Sequence, residues 1–355
     1  MHTVQNSLLE WYRNNRRELP WRTHPTPYRV WLSEIMCQQT RIQTALPYFD
    51  RFLSRWPTVE ALAQADIEDV LHEWAGLGYY SRARSLHRAA QKVAEMGSFP
   101  DTEKGLRQLP GVGPYTAAAI ASIAFERDAH LADGNVERVL TRYFGIREDV
   151  RSAVGKQAVW GKAKELFPAG KGRDWNQALM EWGALICLPR KPACPVCPVR
   201  DGCVARAQDL ISLLPYKSKK QTTKKVFGVA VVLEDDRGFL LRKRPEKGLL
   251  AGLWEFPTSA FVESLSEDAV LELLGAAFDI RSLDGLVGGR CGSVRHLFTH
   301  RDLRLDVYRF RRKTAGVPSL GESWGVRSPG QIQEMGLPRL TEKVWELALS
   351  SPVAD

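Results

Sequence analysis

The chain has 355 residues, 44% of them apolar and 26% charged, with a formal net charge of +9. That length supports about two domains, and no apolar run approaches the ~18 residues of a membrane-spanning helix. The basic balance attracts phosphate backbones or anionic membranes, and solvated charge alone accounts for it equally well. Met1 to Arg17 is polar with no apolar signal segment, so a reducing, cytoplasmic setting is expected for the six cysteines.

Residues 1 to about 210 read as mostly helical, with apolar residues at i, i+3, i+4 and i+7 over Ala61–Gly76 and Val136–Phe144. Tyr28–Thr40 (YRVWLSEIMCQQT) is helical too, and in a helix Glu34 has mostly apolar neighbours: Val30, Trp31, Cys37 and Gln38. A carboxyl placed there is desolvated and its pKa rises, which suits a proton donor near neutral pH. A surface glutamate, or one paired with Arg29 or Arg41, is the plainer alternative.

Gly-, Pro- and Asp-rich turns punctuate the half at Gly76–Gly78, Phe99–Asp101, Leu109–Pro114 and Asp133–Gly134. Leu109-Pro-Gly-Val-Gly-Pro-Tyr-Thr116 joins two helical stretches across 105–125. Gly111 and Gly113 open backbone conformations and close approaches denied to other residues. The helix expected over Thr116–Phe125 then points its free N–H groups and positive dipole end at an anion, which is the chemistry of a phosphate clamp on DNA. A tight turn between structural helices would look the same.

Asp133 (LADGNVERVL) stands just before an amphipathic helix carried by Val136, Val139, Leu140, Tyr143 and Phe144. At a helix N-terminus the dipole and free amides favour the carboxylate. Plain capping accounts for it taken alone. With Glu34 it makes a proton donor and an anion, the pair that glycosidic cleavage uses.

Cys187, Cys194, Cys197 and Cys203 form C-x6-C-x2-C-x5-C. Four thiolates in seventeen positions match the ligand count of zinc or of a [4Fe–4S] cluster, and spacing alone leaves both open. Tyr216–Lys225 (YKSKKQTTKK) is a basic linker, and beyond it the pattern changes. Strands are expected at Val226–Leu233, Phe239–Arg242 and Leu303–Phe310, with a helix near Ser266–Phe278. The expected organisation is a helical domain over 1–215 with a cysteine loop at 187–203, a linker at 216–225, and an α+β domain over 226–355.

SEIMCQQT, GLGYYSRAR (Gly76–Arg84), LPGVGPYT, DGNVERVL and the cysteine run resemble, in that order, the helix-hairpin-helix DNA glycosylases, most closely their adenine-specific mismatch (MutY) type. The likeness covers essentially the whole chain. It implies the helix-hairpin-helix glycosylase fold with a [4Fe–4S] cluster rather than zinc, and a monovalent cation at the hairpin. Glu34 would protonate the purine at N7 and Asp133 would stabilise the sugar cation. Asn135 and Glu181 match supporting positions of that site. Gln39 and Tyr79 match positions in or against the base stack, neighbouring Thr40 is expected at the DNA with them, and Gly111 and Gly113 match the phosphate clamp. In bifunctional relatives a lysine follows the hairpin and forms a Schiff base; Tyr115 cannot, which implies base excision without strand cleavage. A Tyr115 hydroxyl that bonds Glu34 or the attacking water is a further expectation.

Gly252–Pro257 (GLWEFP) resembles the entry to a Nudix box, yet TSAFVESLSEDAVLELL follows without an R-E-x-x-E-E run, so pyrophosphate hydrolysis is not expected. The resemblance implies instead a domain that reads 8-oxoguanine opposite the target adenine. Phe298, Thr299 and His300 match that type's F-S-H hairpin, with threonine for serine. Cys37 is a second departure, standing where leucine is usual. The short basic loop held between Cys187 and Cys194 offers Arg190 and Lys191 to the DNA backbone. The expected partner is double-stranded DNA with an adenine:8-oxoguanine mispair, bound by a monomer. The competing readings are a pyrimidine-lesion glycosylase/lyase of the endonuclease III type and a non-catalytic damage-binding module.

Overall fold

The computed structural model describes residues 2–218, 223–245, 247–261, 286–298, 300–312 and 323–351. Their contacts divide them into two units. One comprises residues 1–65 and 84–220, the other 66–83 and 221–355. The boundary near 220 falls inside the basic linker, whereas residues 66–83, expected within the helical half, group with the second unit.

The first unit is all helical: α1 His2–Asn15, α2 Pro20–Thr23, α3 Pro27–Cys37, α4 Ile42–Arg55 and α5 Val59–Gln64 precede the break. After α6 Ile67–Glu73, which belongs to the second unit, come α7 Ser81–Met96, α8 Glu103–Leu106, α9 Pro114–Ile123, α10 Gly134–Phe144, α11 Ala153–Leu166 and α12 Gly172–Leu185. Two 3-10 turns (Cys194–Val196 and Arg200–Gly202) lead into α13, Val204–Ala207.

The continuous helix expected over Ala61–Gly76 is two helices. Ala65 leaves helical geometry at ψ 149°, and Asp66 caps α6 by accepting from the Glu68 N–H at 2.7 Å. A side chain that offers the backbone a competing hydrogen bond ends one helix and starts the next.

α9 is buried on every side from Thr116 to Ile123, because its small residues let neighbours approach closely. It packs against α3, α8 and α12, while α12 also packs against α1 and α10. These contacts bring α3, α9, α10 and α12 around one point. α3 starts from Thr26, whose hydroxyl accepts from the Arg29 N–H, with Pro27 in the first turn. α10 ends at Gly145 in left-handed geometry, φ 68°.

In the second unit a mixed sheet runs in the order β3-β2-β1-β6-β5, with β4 pairing β1 and β7 pairing β2. The strands are β1 Lys224–Asp235, β2 Gly238–Lys243, β3 Trp254–Glu255, β4 Thr258–Phe261, β5 Leu286–Leu297, β6 Arg301–Arg312 and β7 Trp324–Arg327. β1 and β6 are parallel from Lys224↔Arg301 to Glu234↔Arg311. That pairing explains the unbroken apolar run of β1: a parallel strand covered on both faces has no solvent side to alternate with.

The linker is shorter than expected, since Lys224 and Lys225 already belong to β1. On one face of the sheet Phe256 and Phe239 pack on Trp345 of α15 (Arg339–Ser350), which follows α14 (Pro329–Glu334). The helix expected near Ser266–Phe278 lies outside the described residues.

Candidate active site and cysteine cavity

Glu34 sits in the last turns of α3, Tyr115 in the first turn of α9, and Asp133 at the N-cap of α10. The Tyr115 hydroxyl donates to Met180 Sδ at 3.1 Å and lies beside the Glu34 carboxyl, whose charged form it favours, and the charge of Asp133 acts on both groups. Burial lifts the Glu34 carboxyl to about 7, and Asp133 adds to the rise; the neighbouring Tyr115 hydroxyl and the cation of Arg22 pull against it. Burial also pushes the Tyr115 phenol well above its usual range, with Glu34 and Asp133 contributing.

Asp133 accepts from the backbone N–H groups of Asn135 at 2.9 Å and Val136 at 2.7 Å, and from the Asn135 amide at 3.0 Å. Burial outweighs these three donors, so the carboxyl is displaced upward. The sequence pointed to the helix terminus as the dominant influence; the enclosing protein proves stronger.

Glu181 is joined to this group through Arg22. Its carboxylate is fully buried and accepts from the Arg17 backbone N–H (2.8 Å), Arg17 Nε (2.9 Å) and Nη2 (2.7 Å), and Arg22 Nη2 (2.9 Å). Burial pushes its pKa up, but the two arginines win and hold it at about 2. It is therefore a fixed anion that locks Arg22 within electrostatic reach of Glu34. Cys37 stands within electrostatic reach of Arg17 and Tyr115.

A second set of arginines was missed by sequence reasoning. Arg138, on α10, donates to the Asn135 amide oxygen (3.1 Å), to the Gly183 carbonyl (2.8 Å) and to the Cys187 carbonyl (2.8 Å). One turn on, buried Arg142 donates to the carbonyls of Leu188 (2.7 Å), Pro189 (3.0 Å) and Leu214 (2.9 Å), and lies 3.5 Å from Cys187 Sγ. The available signal was an i, i+4 pair of arginines beside the apolar stripe of α10, where solvated charge is the usual reading.

Cys187, Cys194, Cys197 and Cys203 line one cavity together with Arg142, Tyr143 and Trp182. All four thiols are free. Among the described residues no three His, Cys, Asp or Glu side chains converge as ligands of one metal ion.

The residues expected at DNA stand mostly at the surface. Gln39, Tyr79 and Lys191 have positive φ (57°, 51° and 50°) and are exposed, as is Arg190. Non-glycine residues tolerate that conformation where surrounding structure over-determines it, often at binding sites. Thr40 is half-buried, its hydroxyl against the Gln38 carbonyl at 3.4 Å. Of the hairpin glycines, Gly111 has φ 77°, and a Cβ there would meet Ser85 Cβ at 2.8 Å; Gly113 has φ −87° and open space. Only Gly111 is conformationally required. Phe298 donates its N–H to the Arg301 carbonyl and packs its ring 4.6 Å from His296, while His300 is exposed. Thr299 lies outside the described residues.

Residues 32–164 match the HhH-GPD superfamily of base excision DNA repair proteins, and residues 228–347 match the NUDIX domain. The chain is 31% identical over 351 residues to the adenine DNA glycosylase of Buchnera aphidicola subsp. Acyrthosiphon pisum (strain APS), a match covering 96% of this chain and 95% of the relative. The chain belongs to the adenine DNA glycosylase family. Its match to the Homo sapiens adenine DNA glycosylase is 36% identical over 368 residues and covers 86% of this chain and 66% of that one.

Among solved structures, a thermostable thymine-DNA glycosylase aligns with a TM-score of 0.53 at 30% identity, over 58% of this chain and 96% of its own. Endonuclease III in a non-covalent complex with DNA aligns with a TM-score of 0.51 at 21% identity, over 59% of this chain and 96% of its own, a likeness of fold. The helical glycosylase fold followed by a Nudix domain, expected from the motifs, is thus the architecture of this family member.

Tyr115→Phe tests the hydroxyl–carboxylate contact. Removing a donor that favours charged Glu34 is expected to move the alkaline fall of the pH–rate profile to higher pH. The plateau rate should drop roughly fivefold, the worth of about one hydrogen bond. An unchanged profile and plateau would count against the contact.

Proposed function

We propose that the chain hydrolyses the N-glycosidic bond of adenine standing opposite 8-oxoguanine, or guanine, in duplex DNA, and leaves an abasic site with the strand intact. The observation that carries this reading is the Glu34–Tyr115–Asp133 group, a carboxyl with pKa about 7 beside a tyrosine hydroxyl and a helix-capping aspartate. The match along 95% of a named adenine DNA glycosylase supports the choice of base.

Extrusion of the adenine costs a few kcal/mol of stacking, which Gln39 and Tyr79 offset by entering or lying against the base stack. Protonated Glu34 donates to adenine N7 as the C1′–N9 bond breaks, so the base departs neutral. Asp133 faces the cation that develops at the sugar. Water then adds to C1′ and gives its proton to the Glu34 carboxylate, which restores the acid. Asn135 orients Asp133, and Glu181 holds Arg22. No amine stands at position 115 to capture the sugar.

At the cysteine cavity we propose a [4Fe–4S] cluster. Four free thiols line one cavity, the ligand count of such a cluster, and the Arg142 guanidinium near Cys187 Sγ offsets thiolate charge. Cys187 and Cys194 would then hold loop 188–193 at both ends, presenting Arg190 and Lys191 to phosphate. Gly111 and α9 form a second phosphate contact. The second unit reads the opposite base through Phe298, Thr299 and His300, and the protein acts as a monomer in the cytoplasm.

The test is base release from duplexes pairing adenine with 8-oxoguanine, guanine and cytosine, with and without alkali. Release of adenine with strand scission only after alkali is expected. Borohydride trapping of a protein–DNA adduct in good yield would favour the endonuclease III type of lyase instead.

A further inference from the structure

We infer that Tyr80 and Gly336 position Tyr79, and thereby help set discrimination for the base opposite adenine. The inference rests on the reading of Tyr79 as a stacking residue and of the second unit as the reader of that base.

Residues 66–83 are contributed by the first half of the chain but group with the sheet and its C-terminal helices. Three contacts seat them. Glu68 on α6 pairs with Lys243 of β2. The buried Tyr80 hydroxyl donates to the Leu337 carbonyl at 3.0 Å. Gly336 passes so close to α6 that a Cβ there would lie 2.7 Å from the Leu71 oxygen, 2.9 Å from His72 Cα and 3.0 Å from His72 N. Those three atoms are backbone, so any side chain at 336 must push the segment bodily.

The loop that carries Tyr79 is braced internally. Gly76 and Gly78 have φ of 89° and 74°, and Gly78's carbonyl accepts from Trp74 Nε1 (2.9 Å) and Arg82 Nη2 (3.1 Å). The Arg82 guanidinium lies 5.4 Å from the Tyr79 ring and 5.3 Å from Trp74. Tyr79 is left 48% exposed, while the next residue, Tyr80, is 8% exposed and turned onto Leu337. Two adjacent tyrosines thus face opposite ways across a braced loop, and close-packed protein transmits displacement rather than absorbing it. A shift at Leu337 reaches the Tyr79 ring through one peptide unit, and one at Gly336 reaches it through the end of α6 and the braced loop. The stacking residue and the hairpin at Phe298–His300 accordingly belong to one unit, and the Tyr80–Leu337 joint holds them in register.

Tyr80→Phe and Gly336→Ala, made in the full chain, test this. Each is expected to narrow the ratio of kcat/KM for adenine opposite 8-oxoguanine over adenine opposite guanine by about fivefold, roughly the worth of one hydrogen bond. The single-turnover rate at saturating enzyme on the 8-oxoguanine duplex should stay within about twofold. The fluorescence change of 2-aminopurine placed beside the lesion, which reports stacking, should shrink in parallel. Val231→Ala, which thins the core on the other face of the sheet, controls for lost stability and should leave ratio and fluorescence unchanged. Wild-type values in both joint variants, with Tyr79→Ala abolishing the fluorescence change, would overturn the inference alone. Wild-type values in Tyr79→Ala as well would overturn the stacking reading beneath it.

Discussion

Glu34→Gln is expected to lower the rate of adenine release by about a thousandfold or more, within the upper range for loss of a general acid, while DNA affinity stays within a few-fold. The amide occupies nearly the same volume and leaves the Tyr115 bond to Met180 Sδ in place, so the packing of α3 against α9 survives. What it cannot do is deliver a proton to N7 or recover one from water.

The pH dependence follows from the carboxyl at about 7. Below that value Glu34 is protonated and the rate is flat. Above it the rate falls tenfold per unit, and this limb should vanish from the residual activity of the variant. Stability moves the other way. A carboxyl raised in the folded state costs stability as pH climbs from its unfolded value, near 4.3, to about 7. Its removal is therefore expected to raise the Tm of the helical unit at pH 8. A variant that is inactive yet more heat-resistant could not owe its defect to unfolding. Retention of even a tenth of the wild-type rate would dismiss Glu34 as the acid.

Arg142→Ala carries the second large effect. One buried guanidinium satisfies the carbonyls of Leu188, Pro189 and Leu214 and faces the Cys187 sulfur. Its loss leaves one buried and two partly buried acceptors without their donor, at ~1 kcal/mol each. For a unit of this size roughly 3 kcal/mol corresponds to a Tm lower by about 6–12 °C. Iron bound per chain should fall with it, because the loop bearing Cys187 loses its support. Arg142→Lys is not expected to rescue, since an ammonium cannot span acceptors arranged for a planar fork. A normal melting temperature in Arg142→Ala would refute the supporting role.

What could be read from the sequence was what short range dictates. The hairpin declared itself through Gly111, and the α10 cap through Asp133, because turns and caps are settled within a few residues. Glu34 was found from its own helical neighbours. The clamp on Glu181 was not, because Arg17 and Arg22 lie 164 and 159 residues away and nothing local marks an arginine as a buried partner. The break at Ala65–Asp66 was overlooked because apolar periodicity runs through it, although Asp66 carried a capping signal. The membership of residues 66–83 was invisible for a different reason. Amphipathic spacing shows that a helix buries one face without naming the core that receives it. The cysteine run gave the ligand count; the cavity geometry and Arg142 came only with the fold.

The discontinuous second unit bears on how the chain folds during synthesis. Residues 66–83 leave the ribosome some 250 residues before Gly336 and Leu337, an interval on the order of tens of seconds at ~5–20 residues per second. Through that interval α6 and the Tyr79 loop have no seat. The helical unit need not wait, because the ends of the excursion are already tied: His87 Nε2 lies 2.9 Å from the Ala65 carbonyl, both within that unit. The nascent chain can thus consolidate its helices around a tethered loop that docks last, and slowed translation of the final strands would prolong that loop's exposure to proteases.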